Sequence, residues 1–133
     1  MCARVALVYN KPEVSRYSSR GEDTAVLGVL ESVEAVNKAL LELKHEVVLL
    51  PLSPPAEQIR NELSALNVDL LFNLFEGLCG FPETEALVPE LAEELKIPYT
   101  GCPGSVLRLA LNKAKAKKLL KSAGIRTPSG QVL

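Results

Sequence analysis

The chain of 133 residues has little histidine and cysteine, two residue types on which many catalytic and metal sites depend. Its one histidine, His45, falls between a predicted helix and a predicted strand, so we expect it at the surface. No serine or cysteine has an evident histidine partner for nucleophilic catalysis. The three cysteines, Cys2, Cys79 and Cys102, are odd in number, widely spaced and without a Cys-x-x-Cys pair. This pattern argues against a disulfide framework or a zinc site and favours a reducing compartment.

A strong charge of one sign and a long apolar run are also missing. The net charge is −1, which gives no global reason to expect nucleic acid or an anionic membrane as a partner. No apolar run approaches the length of a membrane span, and residues 3–9 are too short for the apolar region of a signal peptide with its flanks. A hydrophobic fraction of 47% with 23% charged residues is typical of a globular protein, which we expect to be cytoplasmic.

A lysine-rich stretch near the end of the chain is the local exception to this balance. Its members are Lys113, Lys115, Lys117, Lys118 and Lys121. On the residues alone, a solvated helix face is the simpler interpretation of such a stretch.

Apolar runs alternate with helical patterns along the chain. The predicted strands are 4–9, 46–50, 69–73 and 99–100, and the predicted helices are about 24–44, 54–66, 83–96 and 105–123. Gly124 is placed to end the last helix. Four repeats of strand and helix predict an α/β fold, a Rossmann-like open parallel sheet of about four strands flanked by helices.

The dinucleotide fingerprint of such folds is absent. No G-x-G-x-x-G follows the first strand, and no G-x-x-x-x-G-K-[ST] occurs anywhere. A nicotinamide enzyme is therefore disfavoured.

The loop after the third predicted strand is the best candidate site, because ligands bind at the carboxyl ends of strands in open parallel sheets. Gly77 and Gly80 would let the backbone approach a ligand, and Glu76 could hold an ammonium group. The alternative is that the glycines only shape a tight connection and that Glu76 is solvated. Cys79, in the same loop, is either reactive toward alkylating agents or a small inert side chain.

Four segments in register resemble the N-terminal domain of the D-alanine–D-alanine ligase family, within the ATP-grasp superfamily. They are 69–77 (DLLFNLFEG), 97–101 (IPYTG), 109–113 (LALNK) with Lys117, and 123–128 (AGIRTP). The resemblance implies a pre-ATP-grasp α/β domain over 1–111. Residues 112–133 would then be a linker helix and the first residues of an ATP-grasp domain.

The resemblance also implies an activity. Family members join two D-alanines with ATP and magnesium, through an acyl phosphate, to make a cell-wall precursor. Lys113 matches the family lysine that reaches the nucleotide phosphates, although Asn112 replaces the usual preceding aspartate. The magnesium carboxylates and the catalytic arginine lie in later domains of the family. The resemblance therefore implies a homodimeric ligase of which this chain alone holds no ATP or Mg²⁺ and is inactive.

Two departures from the family concern the amino-acid substrate. The family glutamate that holds the amino group of the first D-alanine falls near Leu27, and the family His-Gly pair reads Glu76-Gly77. We expect Glu76, Gly77 and Gly80 to line one wall of the acceptor site. The substrate could then be another amino acid or a related carboxylate–amine pair.

The sequence is also compatible with two other functions. The chain could be a stand-alone binding or regulatory module that kept the fold and lost catalysis. It could also serve only for association, through the apolar face of its first long helix. Residues 131–133 look like the opening of another strand, which suggests that the chain is the front of something longer.

Overall fold

The computed structural model describes residues 2–12, 20–78 and 81–130, without the side chains of 20–27. Three parallel strands, β1 (Arg4–Asn10), β2 (Glu46–Leu52) and β3 (Leu70–Leu74), form a sheet in the order β2-β1-β3. The helices are α1 (Arg20–Glu42), α2 (Ala56–Ser64), a 3₁₀ helix (Pro82–Ala86), α3 (Leu87–Leu95), α4 (Gly104–Leu111) and α5 (Lys113–Ser122). The predicted Rossmann-like open sheet flanked by helices is confirmed, with three strands rather than about four.

The central strand β1 is buried on both faces, which explains its continuous apolar sequence. Ala6 and Val8 pack into a cluster with Ile59 of α2 and Leu91 of α3. The next residues along β1 point to the other face, where Leu7 packs with side chains of α1. Side chains that alternate between two covered faces leave no polar position within the strand.

The predicted fourth strand is reduced to a single parallel bridge between Leu71 and Tyr99. The Leu71 N–H donates to Pro98 O at 2.8 Å, and the Thr100 N–H donates to Leu71 O at 3.0 Å. Pro98 has no N–H with which to extend the ladder, and Gly101 turns the chain away at φ +103°. The pairing therefore stops after one residue.

Three predicted helices differ in their bounds, and the second is shorter, Ala56–Ser64 rather than about 54–66. The first begins at Arg20, four residues before the predicted start, and ends at Glu42. The third begins as the 3₁₀ helix and becomes α-helical only at Leu87. Pro89 is tolerated because it lies in the first turn of α3, where an N–H has no partner within the helix.

The predicted helix over 105–123 is two helices, broken at Asn112. This residue has φ −96° and ψ 87°, and its Oδ1 accepts from the Lys115 N–H at 3.0 Å. Asparagine competes for backbone donors in this way, which starts α5 as a new helix. Gly124 ends α5 as predicted, with φ +75° and its N–H donating to Lys121 O at 3.0 Å.

His45 lies at the predicted junction between α1 and β2, but it is half-buried. Its Nδ1 accepts a hydrogen bond from the Ala3 N–H at 3.1 Å, so the ring anchors the residue before β1. Residues 131–133 lie outside the described part. Among the helices that the structure describes, none is long and apolar enough to cross a membrane.

Candidate functional site

The loop 75–78 leaves the carboxyl end of β3 beside the end of β1, where the sequence predicted a site. Phe75 is buried and the Glu76 side chain is exposed. The Phe75 N–H donates to Asn73 Oδ1 at 3.1 Å, and the Asn73 N–H donates to Thr100 Oγ1 at 3.0 Å. These bonds tie the start of the loop to β3 and to the segment after α3.

Asn10, the last residue of β1, uses both polar atoms of its amide to hold two backbone groups of the loop, one on each side of the Glu76–Gly77 peptide. Its Oδ1 accepts from the Glu76 N–H at 2.8 Å, and its Nδ2 donates to Gly77 O at 2.6 Å. An asparagine amide offers a donor and an acceptor in one plane, as a backbone peptide does. The Glu76–Gly77 unit is thus joined to the central strand.

Gly77 occupies a position that only glycine fits. Its φ is +91°, and it is buried. A Cβ at this position would lie 2.9 Å from the Glu85 backbone nitrogen and 3.2 Å from Thr84 Oγ1. The absence of a side chain therefore lets the loop pack directly on the 3₁₀ helix.

Thr84 holds the far end of the loop. Its Oγ1 accepts from the Leu78 N–H at 2.6 Å and donates to Phe81 O at 2.5 Å. Side chains from β1 and from the 3₁₀ helix therefore fix successive backbone groups of residues 76–78. A loop held on both sides offers a defined position for the exposed carboxylate of Glu76.

An open cleft of about 380 Å³ lies over this loop. It is lined by Asn10, Val29, Glu76, Gly77, Leu78, Phe81 and Pro82. Glu76 is the one charged side chain among these described lining residues. A mostly apolar cleft with a single carboxylate suits a small ligand that carries an ammonium group. The structure brings Glu76 and Gly77 together here, whereas Cys79 and Gly80 lie outside the described residues.

Lys113 lines a second, larger cleft of about 900 Å³ between α4, α5 and the segment after α5. Its lining includes five cationic side chains, which are Arg108, Lys113, Lys117, Lys118 and Lys121. Within the described chain, no carboxylate lines this cleft, and none of its lining residues also lines the cleft over Glu76. Such a surface attracts anions.

Two of these cations also have partners in the fold. The Lys117 Nζ donates to Pro128 O at 3.1 Å and so holds the segment after α5 against that helix. The Arg108 guanidinium forms two hydrogen bonds with Glu90, which lower the pKa of that carboxyl. Lys113, Lys118 and Lys121 are exposed at the cleft.

Sequence reasoning did not identify Asn10 or Thr84. The contact between Asn10 and Glu76 joins residues 66 positions apart, so no local pattern indicates it. An available signal was the position of Asn10 at the carboxyl end of a strand that neighbours β3. In the part of the chain that the structure describes, no three His, Cys, Asp or Glu side chains come together as a metal site.

Comparison with known proteins gives one clear relationship. No family model matches the chain. A D-alanine–D-alanine ligase of Halalkalibacterium halodurans is 36% identical over 104 residues, which are 78% of this chain and 32% of the relative. That of Aquifex aeolicus is 35% identical over 99 residues, 74% of this chain and 32% of the relative.

A third relative, the D-alanine–D-alanine ligase of Caulobacter vibrioides, is 36% identical over 76 residues, which are 57% of this chain and 22% of the relative. The chain thus spans about a third or less of the length of these curated relatives. The resemblance that its motifs predicted is confirmed: the chain is similar to the N-terminal region of D-alanine–D-alanine ligases.

Proposed function

We propose that this chain is the N-terminal, substrate-side part of an ATP-dependent carboxylate–amine ligase of the D-alanine–D-alanine ligase type. The similarity at 35–36% identity over about three quarters of the chain carries this proposal. The parallel sheet supports it, since its carboxyl edge bears the cleft with Glu76. By analogy with these relatives, the product would be a cell-wall precursor made in the cytoplasm by a homodimer.

The cleft over Glu76 is the proposed site of the amino-acid substrate. A carboxylate there can pair with an ammonium group, while Val29, Leu78 and Phe81 provide apolar walls for the carbon next to the amine. Gly77 contributes the backbone that lets the ligand approach the loop. Gly80 belongs to the same proposed wall.

Lys113 is the proposed nucleotide contact. Its cleft carries four further cationic side chains and no carboxylate among the described lining residues, a set of groups that fits the phosphates of ATP. ATP would supply the phosphoryl group that activates the substrate carboxylate, and Lys113 would neutralise phosphate charge. The carboxylates that hold Mg²⁺ are proposed to lie in the rest of the protein.

The proposed division of the chain places the pre-ATP-grasp domain in residues 1–111 and the start of the ATP-grasp part in 112–133. The break between α4 and α5 at Asn112 supports this boundary. The amino-acid cleft would then belong to the first part, and Lys113 to the second. Because the remaining ATP and metal ligands are proposed to lie in the rest of the protein, the chain by itself is proposed to be inactive.

The test is amino-acid-dependent phosphate release by the full-length protein that contains this chain. We expect release with ATP, Mg²⁺ and one pair drawn from a panel of D- and L-amino acids. Glu76→Gln should raise the KM for the amino acid about tenfold or more, because a charged hydrogen bond is lost. Glu57→Gln, at an exposed position of α2, is the matched control and should leave the KM unchanged.

The alternative is a non-catalytic ligand-binding or regulatory module, favoured by the replacement of the family histidine by Glu76. Amino-acid binding that depends on Glu76, without phosphate release for any pair, would support this alternative. The absence of both amino-acid binding and phosphate release would contradict both functions.

A further inference from the structure

We propose that Asn10 is a positioning residue that fixes the backbone from which the Glu76 carboxylate reaches the amine of the substrate. The identity of the ligand, an amino acid, rests on the proposed function. The effect of Asn10 on the conformation of the loop does not depend on that function. Asn10 lines the same cleft as Glu76 but carries no charge. Both polar atoms of its side chain bond to the loop, so its role is to act through Glu76.

The two hydrogen bonds from the Asn10 amide to residues 76 and 77 form a clamp on the loop. This clamp starts from β1, which is paired with a strand on each side. Asn10 pairs with Leu52 in the register of β1 and β2, and the following Lys11 N–H donates to Leu52 O at 2.7 Å. The Asn10 side chain thus starts from the central strand of the sheet. From there it reaches the Glu76 N–H and Gly77 O at 2.8 and 2.6 Å.

The two bonds fix the peptide that precedes and the peptide that follows the Glu76–Gly77 bond. On the far side, Gly77 packs on Glu85, and Thr84 Oγ1 holds the Leu78 N–H. With the backbone held on both sides, the position of the Glu76 carboxylate depends mainly on its own side-chain torsions. A binding group held in this way loses less conformational entropy when a ligand arrives.

The Asn10 amide provides both bonds at once, one through its oxygen and one through its nitrogen. Aspartate keeps the acceptor for the Glu76 N–H but loses the donor to Gly77 O, and it places a second negative charge beside Glu76. Leucine has a similar size and provides neither bond. Asn10→Asp and Asn10→Leu therefore remove one and two bonds of the clamp.

The experiment uses the full-length protein and two readouts. The first is hydrogen exchange at the Glu76 amide, which we expect to be about tenfold faster in Asn10→Leu because its hydrogen bond is lost. The second is the KM for the amino acid against the KM for ATP. We expect the KM for the amino acid to rise about tenfold in both variants and the KM for ATP to stay within twofold. Asn67→Asp, at an exposed position between α2 and β3, is the control for added charge.

A double-mutant cycle with Glu76→Gln separates positioning from a general loss of stability. If Asn10 acts through Glu76, the effect of Asn10→Asp on the amino-acid KM should largely disappear in the Glu76→Gln background. Unchanged exchange at the Glu76 amide in Asn10→Leu would overturn the clamp. Faster exchange with an unchanged amino-acid KM, or equal effects on both KM values, would overturn its positioning role.

Failure of the proposed function gives a different result. If the wild-type protein neither binds an amino acid nor releases phosphate, the proposed ligase function is wrong. The proposed amino-acid ligand and the positioning role of Asn10 are then wrong as well. The exchange experiment would still decide whether Asn10 holds the loop. Should Asn10→Leu fail to fold, Asn10→Ala, which also removes both bonds, provides both readouts.

Discussion

Gly77 and Glu85 pack so closely that a Cβ on Gly77 would lie 2.9 Å from the Glu85 backbone nitrogen. The contact joins the loop after β3 to the 3₁₀ helix. Gly77 has a φ of +91°, a backbone conformation that glycine adopts readily and other residues rarely adopt. The candidate site thus depends on one residue without a side chain.

Gly77→Ala should destabilise the protein by about 2–4 kcal/mol, since it adds a steric clash to the cost of a positive φ. Gly101→Ala is the matched control, because Gly101 has φ +103° but nothing within 4 Å of an added Cβ. It should cost only about 1–2 kcal/mol. Urea unfolding of both variants measures the difference, and equal losses would contradict the close contact.

Thr84 should be required for the far end of the same loop. Thr84→Val removes the acceptor for the Leu78 N–H and the donor to Phe81 O while it keeps the shape of the side chain. We expect a loss of about 1–2 kcal/mol in the free energy of unfolding, because the half-buried Leu78 N–H is left without its partner. Thr84→Ser keeps the hydroxyl and should lose clearly less. If both variants lose the same amount, packing rather than hydrogen bonding explains the role of Thr84.

Lys113→Ala in the full-length protein should raise the KM for ATP about tenfold or more, as expected when a bond to a phosphate is lost. The control is Lys115→Ala, because Lys115 is exposed on the same helix but does not line the cationic cleft. The KM of the Lys115→Ala variant for ATP should change less than threefold. Steady-state kinetics at constant ionic strength provides the comparison, and equal effects would indicate only the general charge of α5.

The pair formed by Glu90 and Arg108 should make stability depend on acid pH. Arg108 lowers the pKa of Glu90 through two hydrogen bonds between α3 and α4, so the folded state binds this proton less tightly than the unfolded state. The contribution is present above the unfolded pKa of about 4.3 and is lost as the pH falls through the lower folded value.

Arg108→Met removes the charge from this pair, so we expect its stability deficit against the wild type to shrink between pH 6 and pH 3. Urea midpoints measured across this range test the expectation. A deficit that stays constant would show that Arg108 acts through packing rather than through the ion pair.

The sequence predicted those parts of the fold that local pattern controls. Runs such as 4–9 are apolar because both faces of the sheet are covered, and Gly124 ends a helix where a left-handed residue is needed. The break at Asn112 was missed because leucine, alanine and lysine on either side favour a continuous helix. Its cause is a side-chain hydrogen bond to Lys115.

The candidate site was predictable in part for the same reason. The loop with Glu76 and Gly77 follows a largely apolar strand, and the carboxyl end of such a strand is where ligands bind in parallel sheets. Asn10 and Thr84 hold this loop through contacts that form only in the folded chain. Their role is a property of the tertiary structure, which a single sequence does not display.

Detection of the condensed product would test the proposed ligase activity directly. The full-length protein would be incubated with ATP, Mg²⁺ and D-alanine, then with other amino-acid pairs, and the products identified by mass spectrometry. The proposed ligase activity predicts one dipeptide or related amide formed in equal amount with ADP, strongly reduced in Glu76→Gln at limiting amino acid. Absence of any amide from every pair, with a folded protein that binds ATP, would contradict it.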